Sequence, residues 1–250
     1  MDLTELLLLV AGGLVAGVVN TLAGGGSLLT VPLLIMLGLP GTVANGTNRV
    51  GVLVSNLTST WQFRNDGVAA FSDAVPVLVP VVAGSLVGAY GIAQLSDAAF
   101  ERVFGVVMIL VLIATLRKPA SPVAAAPGQP ARRWSLPVTL CVFFAIGLYG
   151  GAIQAGVGIV LVLALSHAGY DLVRASSIKV ILIAALTLIA VPVFALAGQI
   201  DWVFGAALGA GFAIGGVVGA RLAVRGGERL IRPVLIAAVI ALSGRMLSLY

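Results

Sequence analysis

The sequence predicts an all-α polytopic membrane protein built from two inverted-topology repeats, and three observations support this fold class. Of the 250 residues, 60% are hydrophobic and 9% are charged, whereas soluble domains contain roughly 25% charged residues. Apolar stretches long enough to cross a bilayer recur along the chain. A glycine-broken apolar stretch also stands at matching places in the two halves, a pattern typical of membrane proteins with internal repeats.

Each repeat is expected to begin with a glycine-broken helix pair, either re-entrant or fully crossing, and to continue with three transmembrane helices. The broken stretches are residues 3–38 and 136–168. The spanning helices are expected at 43–61, 74–95 and 100–116 in the first half and at 178–197, 202–222 and 230–249 in the second. The sequence thus divides into a first transmembrane repeat (1–117), a proline-containing cytoplasmic linker (118–135) and a second transmembrane repeat (136–250).

This composition excludes a soluble enzyme or a nucleic-acid-binding protein, although the net charge is +5. In membrane proteins a basic excess usually lies in loops, where it sets the orientation. The only histidine, His167, has no histidine partner for a metal site. The chain also lacks paired carboxylates and a serine–histidine arrangement with an orienting acid. We therefore expect no enzymatic activity, cofactor, metal or nucleic-acid partner, and a lipid bilayer as the surroundings.

The glycine run at residues 23–27 is the strongest candidate for a working site, and we expect its counterpart at residues 155–158. Successive glycines disfavour a helix, and in lipid the freed backbone groups must be buried in protein or line a wet cavity. The helix that follows begins with free N–H groups and a partial positive charge, which favour an anion. Two such turns meeting near the midplane would suit an oxyanion. The alternative is close helix packing through small residues.

Polar and basic side chains flank both glycine-broken turns. Arg49 and Lys179 stand inside hydrophobic segments, where charges usually face a cavity, with snorkelling to the interface as the alternative. No acidic residue lies within a predicted membrane core, so the interior is basic and favours an anion over a cation. For the Asn, Ser and Thr residues, helix capping is the alternative role. The expected substrate-binding residues are Asn20, Thr21, Gly24, Gly25, Gly26, Ser27, Thr47, Asn48, Arg49, Gln154, Gly156, Gly158, Ser177 and Lys179.

Loop charge predicts the orientation. The loop at 96–102 contains Asp97 and Glu101 against a single arginine and should face outward. Three crossings separate each broken stretch from the end of its half, so the halves should have opposite orientations and both termini should lie outside. Two basic clusters should be cytoplasmic, and they comprise Arg117, Lys118, Arg132, Arg133, Arg221, Arg225, Arg229 and Arg232.

The motifs together resemble the signature of the sulfite exporter TauE/SafE family. The similar segments are residues 17–27, 31–34 and 44–48, with residues 149–158 resembling the family's second copy. The resemblance covers essentially the whole chain, although Val157 departs from the commonest second-half pattern. It implies an inner-membrane, multi-pass transporter for small sulfur oxyanions or organosulfonates, such as sulfite, sulfoacetate or an aryl sulfonate.

We therefore expect a secondary transporter that moves a sulfite-like anion by alternating access. The inverted repeat favours a transporter over the first alternative, a passive anion channel. A membrane-embedded enzyme or accessory protein of sulfur metabolism is the second alternative. The expected partners are a small anionic substrate and the bilayer, and a homodimer is left open.

Overall fold

The computed structural model describes residues 2–116 and 134–246, and within these ranges the chain is helical and contains no strand. The helices are α1 (Leu3–Leu22), α2 (Ser27–Met36), α3 (Gly41–Asn65), α4 (Phe71–Ala93), α5 (Asp97–Leu116), α6 (Leu136–Ala152), α7 (Val157–His167), α8 (Leu172–Leu196) and α9 (Trp202–Met246). Among the described residues, α1, α4, α8 and the Trp202–Gly226 part of α9 are long and apolar enough to cross a membrane. The prediction of an all-helical membrane protein is confirmed.

Both glycine-broken stretches fold as two helices joined by a short break. Residues 23–26 form the first break, between α1 and α2, and residues 153–156 form the second break, between α6 and α7. Gly24 in the first break has a φ of 82°, a conformation that glycine adopts without a steric penalty. Gln154 takes the same place in the second break and has a φ of 63°, the only positive φ of a non-glycine residue in the described ranges.

The helix ends show which residues of the two breaks correspond to each other, and this correspondence differs from the predicted one. We predicted that the first break matches residues 155–158, but Gly26 and Gly156 are the residues that immediately precede α2 and α7. The interval from Gly26 to Gly156 equals that from Arg49 to Lys179, so the helix ends and the two cations agree on one register. The predicted match was wrong because glycines recur within each break, whereas a helix ends where its backbone hydrogen bonding stops.

The last helix also differs from the prediction. We predicted two helices, 202–222 and 230–249, whereas α9 is one helix of 45 residues that ends at Met246. The second half therefore has two helices after its broken pair, not three, and Arg225 lies on a helix, not in a loop. Each glycine between the predicted helices weakens a helix by about 1 kcal/mol without blocking its hydrogen bonds, so the helix continues. The linker residues 117–133 lie outside the described residues.

Helices α3 and α8 are central, since each contacts helices of both halves. α1 packs on α9 and α6 packs on α4, while α3 packs on α9 and α8 packs on α4. α3 and α8 also pack on each other. Exchanging α1, α3 and α4 with α6, α8 and α9 reproduces the same set of contacts.

Glycines let the outer pairs approach backbone to backbone. A Cβ added to Gly84 or Gly88 of α4 would run into backbone carbonyls of α6, and one added to Gly13 of α1 would run into the backbone of α9. Such small-residue contacts are how helices in lipid pack closely enough to gain dispersion energy. The α4–α6 and α1–α9 contacts therefore join the first half to the second.

A matched pair of alanine substitutions on α4 tests this packing. Gly88→Ala is expected to lower the stability of the purified protein by about 1–3 kcal/mol, the usual penalty for overpacking. Gly91→Ala makes the same change on the same helix, where an added Cβ meets nothing within 4 Å, and should leave stability unchanged or slightly raised. Thermal unfolding in detergent measures both, and equal melting temperatures for the two variants would contradict the packing.

Candidate functional site

Lys179 of α8 caps the end of α1 at the first break. Its side chain is fully buried, and Nζ donates to the carbonyl of Asn20 at 3.0 Å and to that of Thr21 at 2.5 Å. The last carbonyls of a helix have no partner within the helix, and α1 has no basic residue in its own last turn. The ammonium group from the second half therefore satisfies carbonyls at the negative end of a first-half helix.

Arg49 of α3 caps the end of α6 at the second break. Its guanidinium donates to the carbonyls of Gly150 at 3.2 Å and Ala152 at 2.8 Å. The guanidinium carbon lies 4.4 Å from the ring centroid of Phe194, a favourable cation–π contact. α6 likewise has no basic residue in its last turn. The two cations thus form crossed caps, in which each half stabilises the broken helix of the other.

Both cations are 0% exposed, so neither reaches the lipid interface by snorkelling. Among residues 2–107 and 134–226 no aspartate or glutamate is buried, which agrees with the acid-free interior that the sequence predicts. Nor does any cluster of three His, Cys, Asp or Glu side chains that could hold a metal occur among the described residues. The positive charge in the interior is balanced by helix-end carbonyls and not by carboxylates.

Asn48 of α3 organises the start of α2. Its amide nitrogen donates to the Ser27 hydroxyl at 2.9 Å, and its carbonyl oxygen accepts from the Thr30 hydroxyl at 2.5 Å. Thr30 was missed in the sequence, although it is a single hydroxyl within an apolar run. The Thr21 hydroxyl is 2.8 Å from that of Ser59 and so belongs to the contact between α1 and α3. Asn48 and Ser27 therefore lie together at the first break, and their contact with a substrate stays a prediction.

The side-chain hydrogen bonds of Thr47 and Ser177 do not lie at the breaks. The Thr47 hydroxyl accepts from the backbone N–H of Asp201 at 2.9 Å, just before α9. The Ser177 hydroxyl donates to the carbonyl of Val68 at 3.2 Å, just before α4. These two residues occupy equivalent places on α3 and α8, and each holds the segment that leads into a helix of the opposite half.

Three further side-chain hydrogen bonds lie at the second break, in addition to those of Arg49. The Gln154 amide nitrogen donates to the Thr187 hydroxyl at 2.6 Å, and the Tyr149 hydroxyl donates to the carbonyl of Ala155. Asn45, one turn before Arg49 on α3, donates its amide nitrogen to the carbonyl of Ala152 at 3.0 Å. Asn45, Tyr149 and Thr187 were missed; the spacing of Asn45 from Arg49 was the signal, because residues four apart share a helix face.

The first break touches the start of α7 through glycines. A Cβ added to Gly24 would collide with the backbone of Gly158, and one added to Gly158 would collide with Gly24. Gly26 lies against α1, where an added Cβ would come 2.8 Å from the Cβ of Asn20. Gly25 has space around it, with only side chains at 3.5 Å or more. Gly24 and Gly158 are thus required for contact between the first break and α7, and the Asn20 side chain lies next to the start of α2.

Several buried polar atoms at the breaks have no hydrogen-bond partner. They are Nδ2 of Asn20, Oδ1 of Asn45, Nε of Arg49 and Oε1 of Gln154. Neither α2 nor α7 has a side-chain cap at its start, and the first N–H groups of a helix have no partner within it. Buried polar atoms are normally satisfied, and these four atoms lie beside two uncapped helix starts. This combination marks the paired breaks as the candidate binding site.

An open groove of about 610 Å³ runs between α6 and α7, but its chemistry does not suit an anion. Its lining is almost wholly apolar, with residues such as Ile146 and Leu163, and His167 lies at its edge. Apolar surface of this kind is what a membrane protein presents to lipid chains. The paired breaks remain the candidate site.

Comparison of the sequence with known families identifies one family. The model of the family described as sulfite exporter TauE/SafE matches residues 9–246. The chain belongs to this family. Its members are membrane transporters, and the resemblance seen in the glycine-broken motifs is confirmed over nearly the whole chain.

Relatives from three bacteria have similar names. A probable membrane transporter protein of Haemophilus influenzae is 28% identical over 247 residues, which cover 98% of this chain and 95% of the relative. The probable membrane transporter protein YfcA of Escherichia coli is 26% identical over 235 residues, covering 94% and 86%. The probable membrane transporter protein YunE of Bacillus subtilis is 25% identical over 240 residues, covering 86% and 87%. No solved structure matches the chain significantly.

Proposed function

We propose that this chain is a secondary transporter that moves a small sulfur oxyanion or an organosulfonate across the inner membrane by alternating access. The first break binds the anionic group. The observation that supports this assignment is the free amide nitrogen of Asn20, a buried donor beside the uncapped start of α2. The sulfur oxyanion is the cargo class that the family description names.

The charge at the first break favours an anion over a neutral or cationic ligand. The start of α2 contributes the positive end of a helix dipole, worth about 0.3–1 kcal/mol to an exposed anion and up to about 2 kcal/mol in partly buried geometry. The ammonium group of Lys179 lies on the neighbouring carbonyls of Asn20 and Thr21. With no buried carboxylate among residues 2–107 and 134–226, nothing in that part of the interior repels a negative charge.

Alternating access is supported by the relation between the halves. The helix contacts are reproduced when the halves are exchanged, as expected for two inverted repeats that move against each other around one site. The backbone contact between Gly24 and Gly158 leaves no continuous opening between these two glycines, which favours a transporter over a passive channel. The crossed caps also make each half depend on the position of the other.

Part of the expected membrane orientation follows from the order of the helices. Helices α3, α4 and α5 provide the odd number of crossings that inverts the second break relative to the first, and the single helix α9 does not affect that count. We place the N-terminus outside because the loop at 96–102, with Asp97 and Glu101, is expected to face outward and α4 and α3 precede it. The prediction that the C-terminus also lies outside depended on two separate crossings after α8, and the continuous α9 removes that argument.

Substitution of Asn20 tests the proposal in proteoliposomes. Asn20→Asp replaces the free donor by a carboxylate of equal size, and we expect the influx of sulfite or of a sulfonate to fall at least tenfold. A hydrogen bond to a charged group is worth about 1.5–3 kcal/mol, and 1.4 kcal/mol corresponds to roughly a factor of ten. Asn56→Asp is the control, because it places the same carboxylate at a different buried position, on α3 and not on α1.

The two variants test binding at the first break, while counterflow and the concentration dependence of the flux distinguish a transporter from a channel. Flux retained in Asn20→Asp, or lost equally in Asn56→Asp, would contradict binding at the first break. Preloading the vesicles with unlabelled anion separates transporter from channel, since a transporter shows saturable counterflow of labelled anion against its gradient. A flux that is linear in concentration and shows no counterflow would favour the channel.

A further inference from the structure

The amide atoms that lack a partner differ between the two breaks. At the first break the free amide atom is a donor, Nδ2 of Asn20. At the second break the two free amide atoms are acceptors, Oδ1 of Asn45 and Oε1 of Gln154, beside the free donor Nε of Arg49. The three amide side chains are at most 3% exposed. A ligand that satisfied all of these atoms would need acceptor oxygens at both breaks and a proton donor at the second.

The orientation of the Asn45 acceptor is set by its neighbour. Its amide nitrogen donates to the carbonyl of Ala152 at 3.0 Å, and reversing the amide would place two oxygens without a proton against each other. The Gln154 amide nitrogen donates to the Thr187 hydroxyl at 2.6 Å, which leaves Oε1 as the free atom of that amide. The free oxygens of Asn45 and Gln154 are therefore acceptors that await a donor. Two donors of Arg49 are engaged on the carbonyls of Gly150 and Ala152.

One helix connects both ends of the site. Asn45 and Asn48 are neighbouring polar residues on α3, and Asn48 contacts Ser27 at the first break while Asn45 contacts the end of α6 at the second. The first break also meets the start of α7 where Gly24 contacts Gly158. The donor end and the acceptor end are thus linked through α3 and through this contact.

We propose that the second break recognises a hydrogen-bond donor on the transported anion. The preferred cargo is an anion that bears a hydroxyl, an ammonium group or an acidic proton in addition to its oxyanion group. This inference rests on the proposed anion transport and narrows its substrate class. A donor-free anion would leave the oxygens of Asn45 and Gln154 buried and unpaired, and sites built to hydrogen-bond a ligand group reject analogues that lack it.

A pair of sulfonates that differ by one hydroxyl group tests the inference on the purified full-length protein. We expect 2-hydroxyethanesulfonate to bind at least about tenfold more tightly than ethanesulfonate by calorimetry. In Gln154→Gly this ratio should fall towards one. That variant removes the acceptor while the backbone φ of 63° suits glycine, so folding is preserved. Asn45→Ala should lower the ratio as well.

Asn56→Ala is the matched control, since its free Oδ1 lies on α3 while its amide bonds the carbonyl of Val52 in the same helix. The ratio should stay at its wild-type value in this variant. Equal affinities of the wild type for the two sulfonates would overturn the inference and leave the proposed function standing. Binding of neither sulfonate nor sulfite would overturn both, and a ratio unchanged in Gln154→Gly and Asn45→Ala would overturn the assignment to these acceptors.

Discussion

Lys179→Met is expected to abolish measurable anion flux in proteoliposomes. Methionine keeps an unbranched apolar side chain of similar length but removes the ammonium group, so the buried carbonyls of Asn20 and Thr21 lose the bonds that Nζ makes at 3.0 and 2.5 Å. The Asn20 carbonyl still accepts from the Gly24 N–H at 2.8 Å, but the Thr21 carbonyl loses its donor, and an orphaned buried acceptor costs about 1–3 kcal/mol. The end of α1, with the Asn20 donor on it, would shift to recover a partner for the Thr21 carbonyl. Flux should fall more than tenfold, since 1.4 kcal/mol corresponds to roughly that factor.

Arg174→Met is the control for Lys179→Met, because it removes a cation from the first turn of the same helix. The Arg174 side chain is 47% exposed and pairs with Asp73 at 2.7 Å, and exposed pairs of this kind are worth only about 0–1 kcal/mol. Its flux should stay within about twofold of the wild type. Tryptophan fluorescence and gel filtration of the Lys179 variant report whether it remains folded. A folded Lys179→Met protein with wild-type flux would show that the cap has no part in transport.

Gly24→Ala is expected to be the most damaging alanine substitution at the first break. The residue has a φ of 82°, which costs an L-residue about 1–2 kcal/mol. In addition its Cβ would collide with the backbone of Gly158, and overpacking costs a further 1–3 kcal/mol or so. The variant should therefore lose stability and separate the two breaks, with loss of anion binding.

Gly38→Ala separates the cost of a positive φ from the cost of the Cβ collision. Gly38 has a φ of 92° but nothing within 4 Å of an added Cβ, so it carries the conformational penalty without the collision. Thermal unfolding and calorimetric anion binding of both variants provide the comparison. We expect Gly38→Ala to be mildly destabilised with normal affinity, and Gly24→Ala to lose affinity. Equal losses in the two variants would mean that the contact between the breaks does not matter.

The crossed caps change the role assigned to the two buried cations. Their residue type and position led to the expectation that they keep a pathway positive. In the structure each cation donates two hydrogen bonds to helix-end carbonyls of the opposite half. Direct contact of Arg49 or Lys179 with the cargo stays a prediction, whereas their contacts with the broken helices follow from the geometry. Any movement of one half against the other must carry or release these bonds.

Much of this protein is determined by its sequence alone. Hydrophobic content identified a membrane protein, and successive glycines located the first break, because helix propensity and the need to satisfy backbone groups in lipid are local properties. The place of Arg49 and Lys179 within apolar segments favoured a buried position over snorkelling, and the structure buries both. The long α9 was missed, since charged residues and two glycines weaken a helix without ending it.

Only the tertiary structure decided which groups meet. The sequence does not show that Lys179 serves the first break, that Arg49 serves the second, or that Gly24 touches Gly158. It also did not distinguish Thr47 and Ser177, which hold connecting segments, from Asn45, which lies at the second break. Helix periodicity shows which residues share a face, but the partner of that face depends on how helices far apart in the chain pack. That packing is set by many small contacts, distributed over both halves, that no single motif contains.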